Sequence, residues 1–397
     1  MRRSAFGRRL SSRRAYVPFS IPWTDGKEID QVADSIRSGW LTTGPKARLF
    51  EERVRAMVGA RHAVAVNSCT AALHLSLVAL GVKPGDEIVT SPYTFAATGE
   101  AILYLGARPV FADIDPLTLN LDPARVAMAL SRRTAALLPV HIAGLPCDLD
   151  ALGSIARRRR LPIVEDAAHA LGAAVEGRPI GSLSDMTCFS FYATKNLATG
   201  EGGMVTLDDR RVAERLRRLS LHGLSRDAWK RYTRSGSWRY DVVDLGYKYN
   251  LTDVAAAIGL AQFSKFKAIQ ARRRRLARRY SRLLGSHEAF DLPVEEQSSV
   301  HAWHLYILRL RPGVLRIDRD RFMTLLTARG IGASVHFQPL HLHSYYRRTF
   351  GYRRGAFPIT ERESARALSL PLYPGLSTEA QDRVVGTLID LADRHRR

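Results

Sequence analysis

Lys195 stands where an apolar run gives way to a glycine-rich turn, a place in which a lysine can act as a nucleophile. The stretch from Met186 to Phe191 is mostly apolar, and Gly200-Glu-Gly-Gly203 follows. Only eight of the 60 basic side chains are lysines, so arginine carries nearly all of the positive charge. A desolvated lysine can lose its proton and attack a carbonyl, whereas an arginine stays protonated. The position predicts a Schiff base with pyridoxal phosphate, although this segment alone also permits an ordinary surface lysine.

Asp166 ends a second apolar run, Leu161 to Val164, which predicts a buried parallel strand. The carboxyl ends of such strands face the ligand crevice in open α/β sheets. A pyridine cofactor needs an anion beside its ring nitrogen, and Asp166 suits that role. His169 follows at a spacing that lets it contact the ring or its phenolic oxygen. Taken alone, Asp166 could equally cap the next helix.

The segment from Ala63 to His74 predicts a strand, a turn of small residues and then a helix. Small residues let the backbone N–H groups at a helix N-terminus approach a phosphate closely. Thr70 and Ala71 would supply these donors. An ordinary helix cap is the alternative for this segment by itself.

Apolar strands alternate with helical stretches from Ala63 to Leu207, which predicts an α/β fold with a mostly parallel seven-stranded sheet and helices on both faces. The predicted strands are 63–66, 87–90, 108–111, 135–140, 162–164, 186–191 and 202–207. Helices are predicted at 27–38 and 46–58. Residues 225–249 are predicted to form a loop over the active site or a dimer interface. A long helix, 252–284, leads to a smaller C-terminal α+β domain with a strand at 301–311. We expect a basic, disordered tail at 1–16, a large domain at 17–265 and a small domain at 266–397.

The composition agrees with a large enzyme core. A chain of 397 residues with 46% hydrophobic content should form about two domains. No run of 18 apolar residues occurs, so we predict no membrane span. Cys69, Cys147 and Cys188 predict free thiols in a reducing cytoplasm. His341 and His343 could chelate a metal, but they have no acidic or cysteine partner nearby in the sequence, and we predict no metal site.

The net charge of +22 raises nucleic-acid binding as a rival function. The basic blocks are Arg157–Arg160, Arg272–Arg275 and the tail, which contains six arginines and no acid. The first block should end a helix, and the second should lie on a solvated helix face. Aromatic residues for base stacking are not interleaved with them. We therefore predict no nucleic-acid partner, and instead some attraction for anionic substrates. The tail also resembles a transit peptide, although a disordered extension, or an upstream start codon, accounts for it better.

The order of these segments resembles the DegT/DnrJ/EryC1/StrS family of fold-type I, pyridoxal-phosphate-dependent nucleotide-sugar aminotransferases. The resemblance runs from about Pro18 to the C-terminus and is greatest to the UDP-4-amino-4-deoxy-L-arabinose aminotransferases. Nine motifs in the same order make it specific. Besides the phosphate turn, they include Pro92-Tyr-Thr-Phe95, Val140-His-Ile-Ala-Gly144, Glu165-Asp-Ala-Ala-His169, Ser190-Phe-Tyr-Ala-Thr-Lys195, Gly246-Tyr-Lys-Tyr-Asn-Leu-Thr-Asp253 and His301-Ala-Trp-His304.

This resemblance implies a role for each matching residue. Lys195 would form the Schiff base and shuttle the proton, while Asp166 would pair with the pyridinium nitrogen. Phe95 would stack on the ring, although family members often have tryptophan there. The implied phosphate contacts are Thr70, Ala71 and Ser190, together with Asn250 from the neighbouring subunit, which implies a homodimer with shared active sites. The implied substrate contacts are Tyr93, His336 and Phe337.

The resemblance implies an aminotransferase that moves an amino group from glutamate, or glutamine, to a keto sugar nucleotide. The sugar is expected to be a 4-keto hexose or pentose for cell-surface polysaccharide or natural-product synthesis. One alternative is a cyclitol or aminobenzoate precursor of an antibiotic. Another is a pyridoxal-phosphate-dependent sugar dehydratase, but that branch lacks the Schiff-base lysine, so Lys195 argues against it. Lys195, Asp166 and the phosphate turn also argue against a non-enzymatic regulator.

Overall fold

The computed structural model describes residues 16–225 and 240–397. The predicted basic tail therefore lies outside the described residues, apart from Tyr16. Of the loop predicted at 225–249, residues 226–239 also lie outside them.

The seven predicted strands of the N-terminal part are found within two residues of their predicted ends, and two short strands that were not predicted occur as well. They are β1 (His62–Val66), β2 (Glu87–Thr90), β3 (Arg108–Phe111), β4 (Thr134–Leu138), β5 (Val164–Asp166), the short β6 (Ala174–Val175) and β7 (Arg178–Pro179), β8 (Met186–Ser190) and β9 (Gly203–Leu207). β1, β2, β4, β5, β8 and β9 are almost entirely buried, as expected for strands covered on both faces. The α/β fold class is thus confirmed.

Seven of these strands form two adjoining sheets, ordered β1-β9-β8-β5 and β3-β2-β4. β9 is antiparallel to both of its neighbours, and the other pairs are parallel. Isolated parallel bridges from Leu137 to Ile163 and from Val140 to Asp166 connect β4 to β5. The carboxyl ends of β2, β4, β5 and β8 consequently lie along one edge.

Helices pack on this strand layer, and most of them begin at side-chain caps. They are α1 (Gly26–Ser38), α2 (Pro45–Val58), α3 (Cys69–Ala79), α4 (Ala96–Leu103), α5 (Pro123–Ala129), α6 (Leu149–Arg159), α7 (Arg210–Leu219) and α8 (Asp253–Leu284). Ser68 caps α3 and Thr252 caps α8, each by accepting a backbone N–H in the first turn. Among the helices in the two described ranges, none is both long and apolar enough to cross a bilayer.

The C-terminal part has its own core, built around the sheet β10-β12-β13 and the end of α8. Its elements are β10 (Phe290–Asp291), β11 (Ser299–Val300), β12 (Tyr306–Leu310), α9 (Arg319–Ala328), α10 (Ser344–Phe350), α11 (Pro358–Arg366), β13 (Ala367–Leu370) and α12 (Thr378–Arg394). β11 instead pairs with β6. The domain boundary at residue 265 falls inside the continuous helix α8 and stays a prediction.

Two sequence-based expectations about the C-terminal part were wrong. The strand expected at 301–311 covers only Tyr306–Leu310, because Trp303 takes a left-handed φ of 50°. Arg273 was expected on a solvated face, yet it is only 2% exposed. Its Nη1 donates to the carbonyls of Trp303, His304 and Leu372, at 3.3, 3.2 and 2.9 Å. The two hydrogens of Nη1 are shared among the three carbonyls, and these contacts hold the irregular 301–304 segment against α8.

Candidate active site

A cavity of about 540 Å³ opens at the carboxyl ends of β5 and β8, beside the N-terminus of α3. Eight of the eleven predicted site residues line it: Thr70, Phe95, Asp166, His169, Ser190, Lys195, His336 and Phe337. These residues come from five separate segments of the chain. Ala71, Tyr93 and Asn250 are placed differently and are described below.

Lys195 lies in the turn between β8 and β9, where its backbone N–H donates to the Tyr192 carbonyl at 2.9 Å. Burial lowers the pKa of Lys195 from 10.5 to about 8, although the nearby Cys69 and Asp166 act in the opposite direction. The amine therefore loses its proton far more readily than an exposed lysine does near neutral pH. A neutral amine in a cavity is the form that attacks a carbonyl.

Asp166 is the last residue of β5 and is 5% exposed. Its Oδ2 accepts a hydrogen bond of 2.7 Å from Thr98 Oγ1, and its Oδ1 accepts one of 3.1 Å from the Ala168 N–H. Burial raises the pKa of Asp166, and both hydrogen bonds oppose that rise by stabilising the carboxylate. The two hydrogen bonds thus orient the carboxylate for contact with a cationic group. Sequence reasoning missed Thr98, which belongs to a helix 68 residues earlier.

The N-terminus of α3 forms the opposite end of the cavity, with Ser68, Cys69 and Thr70 in its lining. The Ala71 N–H donates to Ser68 Oγ at 3.1 Å, which places Ala71 just behind this lining. Gly203 of β9 packs directly against the turn, since a Cβ there would lie 2.4 Å from the Ser68 carbonyl. The helix presents the positive end of its dipole to an anion, whereas the Ala71 N–H, which was predicted to bind the phosphate, is engaged by the Ser68 cap.

Three histidines form one wall of the cavity. The rings of His169 and His304 lie 4.4 Å apart, and His169 stacks on Phe337 at 5.9 Å. Nδ1 of His169 is buried without a partner in the described chain. Burial lowers the pKa of His169 and His304 well below the usual value, and it lowers the pKa of His336 to about 4. All three rings are neutral near pH 7.

Tyr93 supports this wall from behind. It is fully buried, and its hydroxyl donates to the His336 carbonyl at 2.6 Å. His336 also stacks on Phe19, with 5.4 Å between the ring centroids. Tyr93 was predicted to contact substrate, and the structure instead gives it a contact with the segment that carries His336 and Phe337.

Asn250 lies beside a second cavity, which is bordered by α2 and α7. Its Nδ2 donates to Thr43 Oγ1 at 2.7 Å, and its Oδ1 accepts from Lys248 Nζ at 2.7 Å. Within one chain, Asn250 and Lys195 thus belong to different cavities. A role for Asn250 in the active site of a neighbouring subunit stays a prediction.

The cavity suits a phosphorylated pyridine aldehyde. It contains an amine with a lowered pKa, a buried carboxylate held by two donors, and a helix N-terminus. The unpaired buried Nδ1 of His169 offers a further hydrogen-bonding position. Pyridoxal phosphate carries the matching groups: a carbonyl, a ring nitrogen, a phosphate and a phenolic oxygen.

Comparison with known proteins identifies the family. Residues 22–389 match the model of the DegT/DnrJ/EryC1/StrS aminotransferase family. The chain belongs to this family. A solved structure agrees with this family. The putative sugar aminotransferase Spr1654 of Streptococcus pneumoniae, in its pyridoxamine-phosphate form, superposes on this chain with a TM-score of 0.90. That match has 34% identity and covers 95% of this chain and 99% of the other.

Two curated relatives are similar over nearly their whole length. The uncharacterized protein MJ1066 of Methanocaldococcus jannaschii is 47% identical over 384 residues, which are 97% of this chain and 100% of the relative. The spore coat polysaccharide biosynthesis protein SpsC of Bacillus subtilis is 46% identical over 383 residues, 96% of this chain and 98% of SpsC. The protein is therefore a pyridoxal-phosphate-dependent aminotransferase, as the motifs predicted.

Proposed function

We propose that this aminotransferase moves the amino group of glutamate, or glutamine, to the keto carbon of a nucleotide-linked sugar, a 4-keto hexose or pentose. The observation that carries the proposal is that one cavity contains both Lys195, whose pKa is lowered to about 8, and the buried carboxyl group of Asp166. The resemblance of the chain to a polysaccharide biosynthesis protein and to a putative sugar aminotransferase supports a sugar as the acceptor. The product would enter cell-surface polysaccharide or natural-product synthesis.

Each residue of the cavity has a separate role in this reaction. Pyridoxal phosphate, when bound, supplies the carbonyl that carries the amino group and a ring that withdraws electrons. Asp166 holds a proton at the ring nitrogen, since its carboxylate is fixed and desolvated. Lys195 removes a proton at the amino-acid carbon and returns one at the sugar carbon. Phe95 covers the ring, Ser190 and the turn at Thr70 bind the phosphate, and the wall of His336 and Phe337 borders the sugar.

A homodimer would complete the site. Asn250 shares no cavity with Lys195 in its own chain, and it is half-buried near the exposed Lys248, where a second subunit could approach. A phosphate dianion gains from each additional donor, so an amide from the partner would strengthen cofactor binding. The free thiols of Cys69, Cys147 and Cys188 support a cytoplasmic site of action.

A panel of keto-sugar nucleotides tests this function. Purified protein loaded with pyridoxal phosphate is mixed with each sugar and with glutamate or glutamine, and amino-sugar formation is measured. We expect turnover of a 4-keto sugar nucleotide with at least one of the two donors. Lys195→Ala is the matched control, and it should fold but form no amino sugar. Turnover of a keto cyclitol with none of the keto sugars would refute the proposed acceptor class.

A further inference from the structure

His304 lies at the end of a hydrogen-bond chain whose direction is set by a backbone carbonyl. The Leu171 carbonyl can only accept, so Gln270 must direct its Nε2 toward it, at 3.2 Å. Gln270 Oε1 therefore accepts the hydrogen bond of 2.9 Å from Asn196 Nδ2. The same Nδ2 donates to the Ala302 carbonyl at 2.7 Å. Both side-chain amides are thus held in one orientation.

This orientation determines which nitrogen of His304 carries hydrogen. Asn196 Oδ1 faces His304 Nδ1 at 3.3 Å, and an amide oxygen can only accept, so Nδ1 is the donor. Burial, and next the charge of Lys195, lower the pKa of His304 well below its usual value, so the ring is neutral. A neutral imidazole with hydrogen on Nδ1 has an acceptor lone pair on Nε2.

The acceptor nitrogen Nε2 is partly exposed: in the described chain it has no hydrogen-bond partner, and it is not one of the fully buried unpaired atoms. His304 belongs to the lining of the same cavity as Lys195. Arg273 holds the His304 carbonyl at 3.2 Å, so both the backbone and the ring of His304 are fixed in place. A fixed, unprotonated acceptor favours a ligand group that donates a hydrogen bond.

We propose that His304 Nε2 accepts a hydrogen bond from the C3 hydroxyl of a nucleotide-linked 4-keto sugar and thereby selects sugars that carry this hydroxyl. The inference rests on the proposed function, because it takes the acceptor to be a 4-keto pyranose. In that ring, C3 is the neighbour of the keto carbon that bears a free hydroxyl, whereas C5 is bonded to the ring oxygen. Lys195 must reach the keto carbon, so an acceptor in its cavity meets the hydroxyl next to that carbon.

The test compares a nucleotide-linked 4-keto sugar with its 3-deoxy counterpart, using kcat/KM of the cofactor-loaded enzyme. The wild type should prefer the hydroxylated sugar by about tenfold or more, because the deoxy sugar leaves a desolvated acceptor unpaired. His304→Phe should lose most of this preference, chiefly through a higher KM for the hydroxylated sugar. His304→Leu serves if the phenylalanine variant does not fold. His304→Gln keeps an acceptor and should retain an intermediate preference.

His301→Phe is the matched control, since His301 is also buried and lies in the same segment. Its Nδ1 accepts the Trp303 N–H at 2.8 Å, and it borders a different cavity. This variant should lower stability and keep the preference for the hydroxylated sugar. A preference in His304→Phe or His304→Leu equal to that of the wild type would overturn the assignment of His304.

Cofactor conversion by glutamate alone, followed by absorbance, separates the two proposals. Wild-type enzyme that turns over both sugars equally would overturn the role of His304 and leave the aminotransferase function intact. Wild-type enzyme that converts the cofactor with glutamate yet aminates neither sugar would overturn the proposed acceptor, and the assignment of His304 with it.

Discussion

Thr98 Oγ1 donates a hydrogen bond of 2.7 Å to Oδ2 of Asp166 and thereby orients the carboxylate at the floor of the active-site cavity. The bond counteracts burial, which raises the pKa of Asp166. Thr94 Oγ1 lies 2.7 Å from Thr98 Oγ1, and because the Thr98 hydroxyl hydrogen is directed at Asp166, Thr94 is the donor. A short chain of hydroxyls thus orients Asp166 and favours its ionised form.

Thr98→Val should lower kcat/KM by about 10- to 100-fold, the usual value of a hydrogen bond to a charged group. Loss of this donor destabilises the carboxylate, so the pKa of Asp166 rises further. Activity depends on the ionised form of Asp166. As the pH falls, the variant should therefore lose activity at a higher pH than the wild type does. The measurement is the pH profile of kcat/KM. Thr187→Val is the control, because Thr187 donates in the same way to Glu165 at 2.8 Å. An acidic limb that shifts equally in both variants would contradict the prediction.

Asp166→Asn should leave cofactor binding largely intact and reduce turnover by orders of magnitude. A neutral amide cannot hold the ring nitrogen protonated, so the ring withdraws electrons poorly. Cofactor content is measured by absorbance, and turnover by amino-sugar formation. A rate close to that of the wild type would show that another carboxylate does this work, and Glu165→Gln would then be the next variant.

The attachment of pyridoxal phosphate to the cofactor-free protein should depend on pH with a midpoint near 8. Burial lowers the pKa of Lys195 to about 8, so the reactive neutral amine is half formed there. The rate constant should rise with pH up to this point and level off above it. It is followed by the visible absorbance band, and borohydride reduction should fix the label on Lys195. A midpoint near the ordinary lysine value of 10.5 would mean that the cavity does not desolvate this amine.

Mixing Lys195→Ala with Asn250→Ala subunits should restore activity if Asn250 serves the neighbouring active site. A hybrid dimer then has one site with neither lesion, and equal mixing should give up to about one quarter of wild-type activity in a symmetric dimer. The assay is run at limiting cofactor. Lys195→Ala mixed with Asp166→Ala is the control, since each hybrid site keeps one lesion. No recovery, with subunit exchange confirmed, would place Asn250 outside the partner's site.

Arg273→Met should destabilise the protein by about 3 kcal/mol or more, because it leaves three buried carbonyls without a donor. The urea midpoint measures this loss. Arg275→Met on the exposed face of α8 should change the midpoint little. Equal midpoints for the two variants would mean that the carbonyl contacts of Arg273 contribute little to stability.

Local patterns in the chain were enough to predict the seven strands of the two N-terminal sheets and the positions of Lys195 and Asp166. Each apolar run has the length of a buried strand, and the polar residue that follows it must emerge at the carboxyl edge of a parallel sheet. The turn at Thr70, Asp166 and Lys195 each follow or end such a strand, so they are expected at the same edge of the sheet. The family and its cofactor follow from the same motifs, which lie in sequence-continuous stretches.

Contacts between distant segments decided the rest, because no local pattern encodes them. Thr98 reaches Asp166 across 68 residues, and Asn196 sets the hydrogen on His304 across 108 residues. Arg273 sits in a run of four arginines, and only the irregular segment packed against α8 makes one of them a buried donor. The sequence by itself determined the family, its cofactor and the candidate residues for the chemistry, while the tertiary structure decided which neighbours orient them, since orientation depends on side chains that meet only after folding.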